Sequence, residues 1–336
     1  MGLRIILLIV CTFLFTCSSS ALDDIEFADS NLEQAIQKEL GISTPVTKQR
    51  MLGLRMLHAE ESSIKSLEGL RYATNLKKLY LWDNEISNLS ELSNLVDLEK
   101  LFLNNNKITD ISPLANLKKL KILRLEQNPL NGNISIVSGL INLTELLLDK
   151  CEITDLSPVS GLTNLRWLSV NDNKIRDIKP ISELNNLQDL GICYNNISDI
   201  SAVANLMELR ILQFWNNDVS DISPVANLEN LEELAFDYNK IEDVASVANL
   251  RNLTYLGMNY NPLNKQAYEE FIPKIEANNP GIKIFYTPLL VEKIKQTPLS
   301  IEERNEIIKS RVIIPLVLMC VICFAAMIVS KKITHF

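Results

Sequence analysis

Histidine, glycine and aromatic residues are scarce in this 336-residue chain: there are two histidines and ten glycines, and aromatics make up 6%. The histidines, His58 and His335, stand near opposite ends, so no Ser/His/Asp or Cys/His set can be assembled in the body. The glycines nowhere form a loop that cradles phosphate, and no cysteine–histidine spacing matches a metal site. Catalysis, cofactors and metals are therefore not expected. Positive charge is also in deficit. Lysine and arginine number 33 against 41 acids, a net charge of −8. That argues against a nucleic-acid partner, because binding a phosphate backbone draws on a surplus of basic side chains. Long apolar runs are missing from the body and confined to the two ends.

Regularly spaced leucine is abundant. The stretch Leu165-Arg-Trp-Leu168-Ser-Val170-Asn-Asp-Asn173-Lys-Ile175 reads L-x-x-L-x-L-x-x-N-x-I. Leu79, Leu101 and Leu123 occupy its fourth slot at steps of 22 residues; one step of 23 leads to Leu146, and Leu168, Leu190, Leu212, Leu234 and Leu256 follow at 22. A fixed step of this size is the signature of a leucine-rich repeat solenoid, in which no unit buries its apolar face alone and stacking builds one continuous core. The expected fold is an α/β solenoid: a horseshoe with a parallel concave β-sheet, a 3₁₀ or extended convex side, and one transmembrane helix.

The ninth slot holds Asn84, Asn106, Asn128, Cys151, Asn173, Asn195, Asn217, Asn239 and Asn261. A stacked asparagine can bond the backbone of its own unit and the next. The extra residue falls near Asn131-Gly132-Asn133, where an insertion is cheap. Proline in Asp110-Ile-Ser-Pro113, Asp155-Leu-Ser-Pro158, Asp177-Ile-Lys-Pro180 and Asp221-Ile-Ser-Pro224 excludes full helices from the return segments. Of six cysteines, only Cys151 and Cys193 lie in the body, about 10 Å apart by strand spacing and too far to bridge. Cys193 falls in an outward slot, as a small surface residue or an exposed thiol.

Residues 1–21 read as a signal peptide, with Arg4, an apolar core from Ile5 to Phe15, and cleavage after Ala21. Residues 22–50 form an N-terminal helical cap, with a helix begun by Asp29 or Ser30 and stopped by Gly41. Repeats fill residues 51–263, the first of them degenerate. Residues 264–286 close the other end through an amphipathic helix from Lys265 to Ala277, interrupted at Pro273, and a last strand from Pro280 to Phe285. A stalk over 287–311 leads to a transmembrane helix over 312–330, whose first 18 residues are uncharged, and a cytoplasmic tail over 331–336. The expected location is a single-pass protein of the cell membrane with its repeats on the extracytoplasmic side. Lys331 and Lys332 support that orientation, and Lys309 and Arg311 on the outer flank weaken it.

The unit N-x-I-x-D-I-S-P-L-A-N-L, and the entrance Phe27-Ala-Asp-Ser-Asn-Leu32 with Ser66-Leu-Glu-Gly-Leu70, resemble internalin-type repeats of bacterial surface proteins over about residues 25–286. The resemblance implies an exported, anchored chain that binds proteins through its concave sheet. The chain departs from that family in having no L-P-x-T-G sorting signal and no adjoining immunoglobulin-like domain. A cytosolic phosphatase-regulating repeat protein shares the repeat length, but the terminal apolar segments argue against it.

Strand alternation turns slots three, five, seven and eight outward on the concave face. All three tryptophans fall there, Trp82, Trp167 and Trp215, with Tyr80, Phe102, Tyr194, Tyr238, Tyr255 and Tyr260. Outward aromatics point to recognition or, alternatively, to stacking that only stiffens the sheet. The same slots hold ten acids, among them Asp189, Glu233 and Asp237, and four bases, Lys78, Lys100, Arg124 and Lys150, all before Trp167. From Trp167 on, the fifth slot reads Ser169, Gly191, Gln213, Ala235, Gly257, which predicts a shallow trough walled by aromatics. The expected function is a membrane-anchored recognition module binding a protein or glycan on this face, with the acid excess pointing to a basic partner. The alternative is a structural scaffold of the cell envelope. Five Asn-x-Ser/Thr sequons, Asn88, Asn133, Asn142, Asn196 and Asn252, are attributed to composition.

Overall fold

The computed structural model describes residues 23–288. The expected signal peptide, membrane span and tail, and nearly all of the stalk, lie outside the described residues. No helix among the described residues is long and apolar enough to cross a membrane.

Eleven three-residue strands form one parallel sheet in chain order: β1 (Met56–His58), β2 (Lys78–Tyr80), β3 (Lys100–Phe102), β4 (Ile122–Arg124), β5 (Glu145–Leu147), β6 (Trp167–Ser169), β7 (Asp189–Gly191), β8 (Ile211–Gln213), β9 (Glu233–Ala235), β10 (Tyr255–Gly257) and β11 (Lys283–Phe285). The fourth-slot leucines pair in register, Leu57 with Leu79, Leu79 with Leu101, and so on to Leu256. They point into the core, where nearly all are fully buried. The returns are short 3₁₀ turns. Four carry proline in the first turn: Ser112–Asn116, Ser157–Val159, Lys179–Ile181 and Ser223–Val225. Proline suits that position because the first N–H of a helix has no internal partner. The aspartates ahead of them initiate the turn: Asp110 and Asp155 each accept from the backbone N–H two residues on at 2.8 Å.

The asparagine ladder runs opposite to expectation, joining each unit to the one before it. Asn106 Nδ2 donates to Leu81 O of the preceding unit and Leu103 O of its own, at 2.8 and 3.0 Å, and its Oδ1 accepts from Ile86 N at 2.9 Å. The reason is geometric: the asparagine turns back into the bend, where the carbonyls of the previous strand end point. Cys151 keeps only half of this pattern. Its Sγ donates to Leu125 O at 3.3 Å, but it has no acceptor to offer. The N–H that an asparagine there would take, that of Leu130, bonds instead to Asn128 O at 2.8 Å. The preceding residue, Pro129, has no N–H to place. The single extra residue of the array falls in this same unit, and Gly132 N, at φ 76°, reaches Cys151 O. Burial pushes the Cys151 thiol up to about 12, so it stays a donor.

Helix α1 (Ser30–Leu40) begins at Asp29, which accepts from Asn31 N, and ends at Gly41 in the left-handed region at φ 65°. Asp29 also accepts from Lys65 N at 2.7 Å, fastening the cap to the first repeat. A short second helix, α2 (Lys48–Met51), begins at Thr47 and has no counterpart in the sequence expectations. At the far end a π turn, Ala267–Phe271, leads into α3 (Ile272–Asn278). The interruption expected at Pro273 takes this form because proline lacks the N–H that would continue the α pattern. Strand β11 then closes the sheet.

Candidate functional site

Slots seven and eight follow strand segments only three residues long, and simple alternation does not carry that far. In every repeat the eighth-slot residue adopts the left-handed conformation, from Glu61 and Asp83 through Tyr194, Asn216, Tyr238 and Tyr260, at φ between 50° and 57°. This tight bend throws the eighth slot outward at the rim of the sheet. Tyrosine there carries a conformational cost that asparagine bears more easily.

In the N-terminal half the fifth-slot residues from His58 to Arg124 form a stack that the third-slot Trp167 joins. His58 lies flat on Tyr80 (ring centroids 4.5 Å, 5°), Tyr80 on Phe102 (4.8 Å, 18°), and the Arg124 guanidinium 5.1 Å from the Phe102 ring and 5.5 Å from that of Trp167. Arg124 also pairs with Glu145 at 2.6 Å, each side chain only 14% exposed. Tyr80 and Phe102 are each 6% exposed. These two, expected to contact a partner, instead bury against each other. Trp167 is half-buried and closes this stack rather than opening the C-terminal groove. Trp82 is half-buried on the same half.

Beside the stack, burial and the neighbouring Asp149 carboxylate push Glu126 up to about 8. Glu126 is half-buried, and its Oε2 is covered and unpartnered. Asp149 lies above the usual range through burial, although Ser169 Oγ and Asn171 N donate to it at 2.6 and 2.7 Å.

The C-terminal half is open at its rim. Tyr194, Tyr238 and Tyr260 are 45%, 38% and 37% exposed. Tyr194 meets half-buried Trp215 edge to face at 4.3 Å, and Tyr238 stacks on Tyr260 at 4.2 Å. Tyr255 is half-buried, tilted against Phe285. Asp189 and Glu233, both half-buried, are raised by burial, Asp189 against the pull of Arg210 and Glu233 with a further push from Glu232. Asp237 is 1% exposed, not on the open surface as expected. The predicted trough is filled. Ser169 and Ala235 are buried. Asn171 and Ser169 lie over Gly191, and Asp237 and Tyr255 over Gly257. Small fifth-slot residues thus admit their neighbours' side chains. Cys193 is buried as well, and neither it nor Cys151 is in a disulfide.

Two ladders escaped the sequence reading. On the concave side Asp149, Asn171 and Asp237 accept from the seventh-slot N–H of the next unit, those of Asn171, Cys193 and Asn259. Ahead of the strands, Asn75, Asn142, Asn164, Asn186, Asn230 and Asn252 donate Nδ2 to a carbonyl of the previous unit. The Asn-Leu that recurs ahead of six of the strands was the available signal. It also gives the sequons at Asn142 and Asn252 a structural use for their amide nitrogen. The same strand edge carries an open groove of about 530 Å³ lined by Glu208, Arg210, Asn230, Glu232, Asn252 and Thr254, at the end of the strands away from the aromatic rim. Among the described residues no group of three or more His, Cys, Asp or Glu could hold a metal ion.

Eleven short parallel strands, 3₁₀ returns and a buried asparagine ladder define a leucine-rich repeat solenoid with a partly aromatic concave rim. The family model "Leucine Rich repeats (2 copies)" matches residues 96–140, 141–183 and 163–205. No curated protein matches the chain. Among solved structures, an internalin C2 from Listeria monocytogenes is 37% identical over 61% of this chain and 92% of that one, with a TM-score of 0.58. An internalin (inlF) from the same organism is 27% identical over 79% and 92%, TM-score 0.55. The functional domain of InlJ, also from Listeria monocytogenes and including a cysteine ladder, is 23% identical over 78% and 66%, TM-score 0.62, a likeness of fold. The chain belongs to the leucine-rich repeat family, and its repeats are internalin-like.

Proposed function

We propose that this chain is a recognition module, exported and held at a membrane by its C-terminal apolar segment, that binds a protein or glycan on the C-terminal half of its concave face. The observation that carries this reading is the asymmetry of that face. The N-terminal aromatics bury against one another, whereas Tyr194, Tyr238 and Tyr260 stand exposed at the rim, beside acids that meet no base in the outward slots of these repeats. Rigid aromatics with a polar tip, held on a stiff scaffold, lose little entropy on binding and are enriched where interfaces concentrate their energy. The fold favours binding over chemistry, and the acid excess favours a basic partner.

The test is affinity capture with the full-length chain, comparing wild type with the Trp215→Ala/Tyr238→Ala double variant and with Trp82→Ala. The expected result is loss of partner from the double variant and retention by Trp82→Ala. Protease access to residues 76–263 on intact cells separates surface recognition from an envelope scaffold: a body that stays protected contradicts the first.

A further inference from the structure

Asp189, Glu233 and Asp237 form no ion pair among the described residues, and no base occupies the outward repeat slots from Trp167 to Tyr260. Asp237 stands apart from the other two. Its Oδ1 accepts from Asn259 N at 2.9 Å and from Asn259 Nδ2 at 2.7 Å. Its Oδ2 is covered and accepts no hydrogen bond among the described residues. That oxygen lies over Gly257, where an added Cβ would stand 2.5 Å from it and 3.3 Å from the ring edge and hydroxyl of Tyr255. The Asp237 carboxylate and the Tyr255 ring therefore both crowd the face of Gly257. The stacked Tyr238–Tyr260 pair begins at the next residue.

Gly191 shows that a fifth-slot glycine does not by itself create such an oxygen. The Asn171 amide and Ser169 hydroxyl that lie over Gly191 bond each other at 2.8 Å, and Asn171 Oδ1 is taken by Cys193 N at 2.7 Å. At Gly257 the arrangement is unfinished. A carboxylate offers about four acceptor positions, and those on Oδ2 are unused. A cation reaching this oxygen would gain a charge-assisted hydrogen bond beside the Tyr255 ring.

We infer that the notch formed by Asp237, Gly257 and Tyr255 binds one ammonium or guanidinium group, a lysine or arginine side chain of the partner. This rests on the concave-face reading above and names what the partner inserts there. Burial holds the Asp237 carboxyl above its ordinary range, and a cation beside it favours the carboxylate form.

The test is calorimetry on the full-length chain with a glycine-spaced lysine peptide and its norleucine counterpart, which keeps the aliphatic stem and removes the charge. The lysine peptide is expected to bind at least about tenfold tighter, the scale of a hydrogen bond to a charged group. Asp237→Asn, with an unfolding transition like that of wild type, and Gly257→Ala, whose Cβ would displace the Asp237 carboxylate, are expected to fall to the norleucine level. Equal binding of the two peptides, no binding of the lysine peptide, or undiminished binding by Asp237→Asn would each overturn the notch. If Asp237 is a structural acid that merely carries its own proton, the asparagine variant binds like wild type. Loss of capture in Trp215→Ala/Tyr238→Ala alongside undiminished peptide binding by Asp237→Asn removes the notch and leaves the wider reading standing. Undiminished capture by that double variant removes the wider reading itself.

Discussion

The two halves of the concave face use the same slots of the same repeat and reach different states. In the N-terminal half the large outward groups pack against one another: His58, Tyr80, Phe102, Arg124 and Trp167 stack in sequence, and Arg124 is paired with Glu145. In the C-terminal half the large side chains have moved from the fifth slot to the seventh and eighth, at the rim, and Asp189, Glu233 and Asp237 form no ion pair among the described residues. An aromatic in the middle of a parallel sheet stacks on its neighbour at every strand. An aromatic on the left-handed bend stands at the edge, where only part of its surface is covered. The slot, more than the residue type, separates a frame from a contact surface.

The comparison can be broken most forcefully at Arg124. Arg124→Ala leaves the Glu145 carboxylate, 14% exposed, without its counter-charge, and is expected to lower stability by about 3–5 kcal/mol, read by chemical denaturation. Phe102→Ala opens the stack and is expected to cost about 3 kcal/mol in the same measurement, with partner capture by the folded fraction unchanged. A pH effect follows from Glu126, whose carboxyl rises from the ordinary 4.5 to about 8. The native state holds this proton where the unfolded state has released it. The group's contribution is therefore fully present below pH 4.5 and is lost as pH rises to about 8. Denaturant midpoints over that window should decline in wild type and flatten in Glu126→Gln. The smallest stability effect is expected at the rim: Tyr238→Ala, at a side chain 38% exposed, should change stability by less than about 1 kcal/mol. A larger loss would show that the C-terminal aromatics are frame as well.

The inward half of the molecule was legible because it is periodic. The fourth-slot leucines, the prolines of the return segments, the Asp29 cap, the Gly41 stop and the break at Pro273 each follow from local chemistry. Outward contacts are not local in sequence. Tyr80 and Phe102 are 22 residues apart, and whether they stack or face solvent depends on the register of neighbouring strands, which the leucine pattern fixes without naming what lies above it. Alternation misread the C-terminal face for a related reason. It made Asp237 an exposed acid and Gly257 an empty trough, whereas the missing side chain of one makes room for the carboxylate of the other. The direction of the asparagine ladder could not be read from spacing alone, because bonds forward and backward require the same repeat. The pre-strand asparagines could have been found, since Asn-Leu recurs ahead of six strands.

The central claim, that recognition belongs to the C-terminal rim and the N-terminal stack serves as frame, is tested most directly by side-by-side capture on one set of immobilised full-length chains: wild type, Trp215→Ala/Tyr238→Ala and Trp82→Ala, each checked for an intact unfolding transition. The account predicts that the partner captured by wild type disappears from the double variant and persists with Trp82→Ala. Capture that survives the double variant and disappears with Trp82→Ala would contradict it.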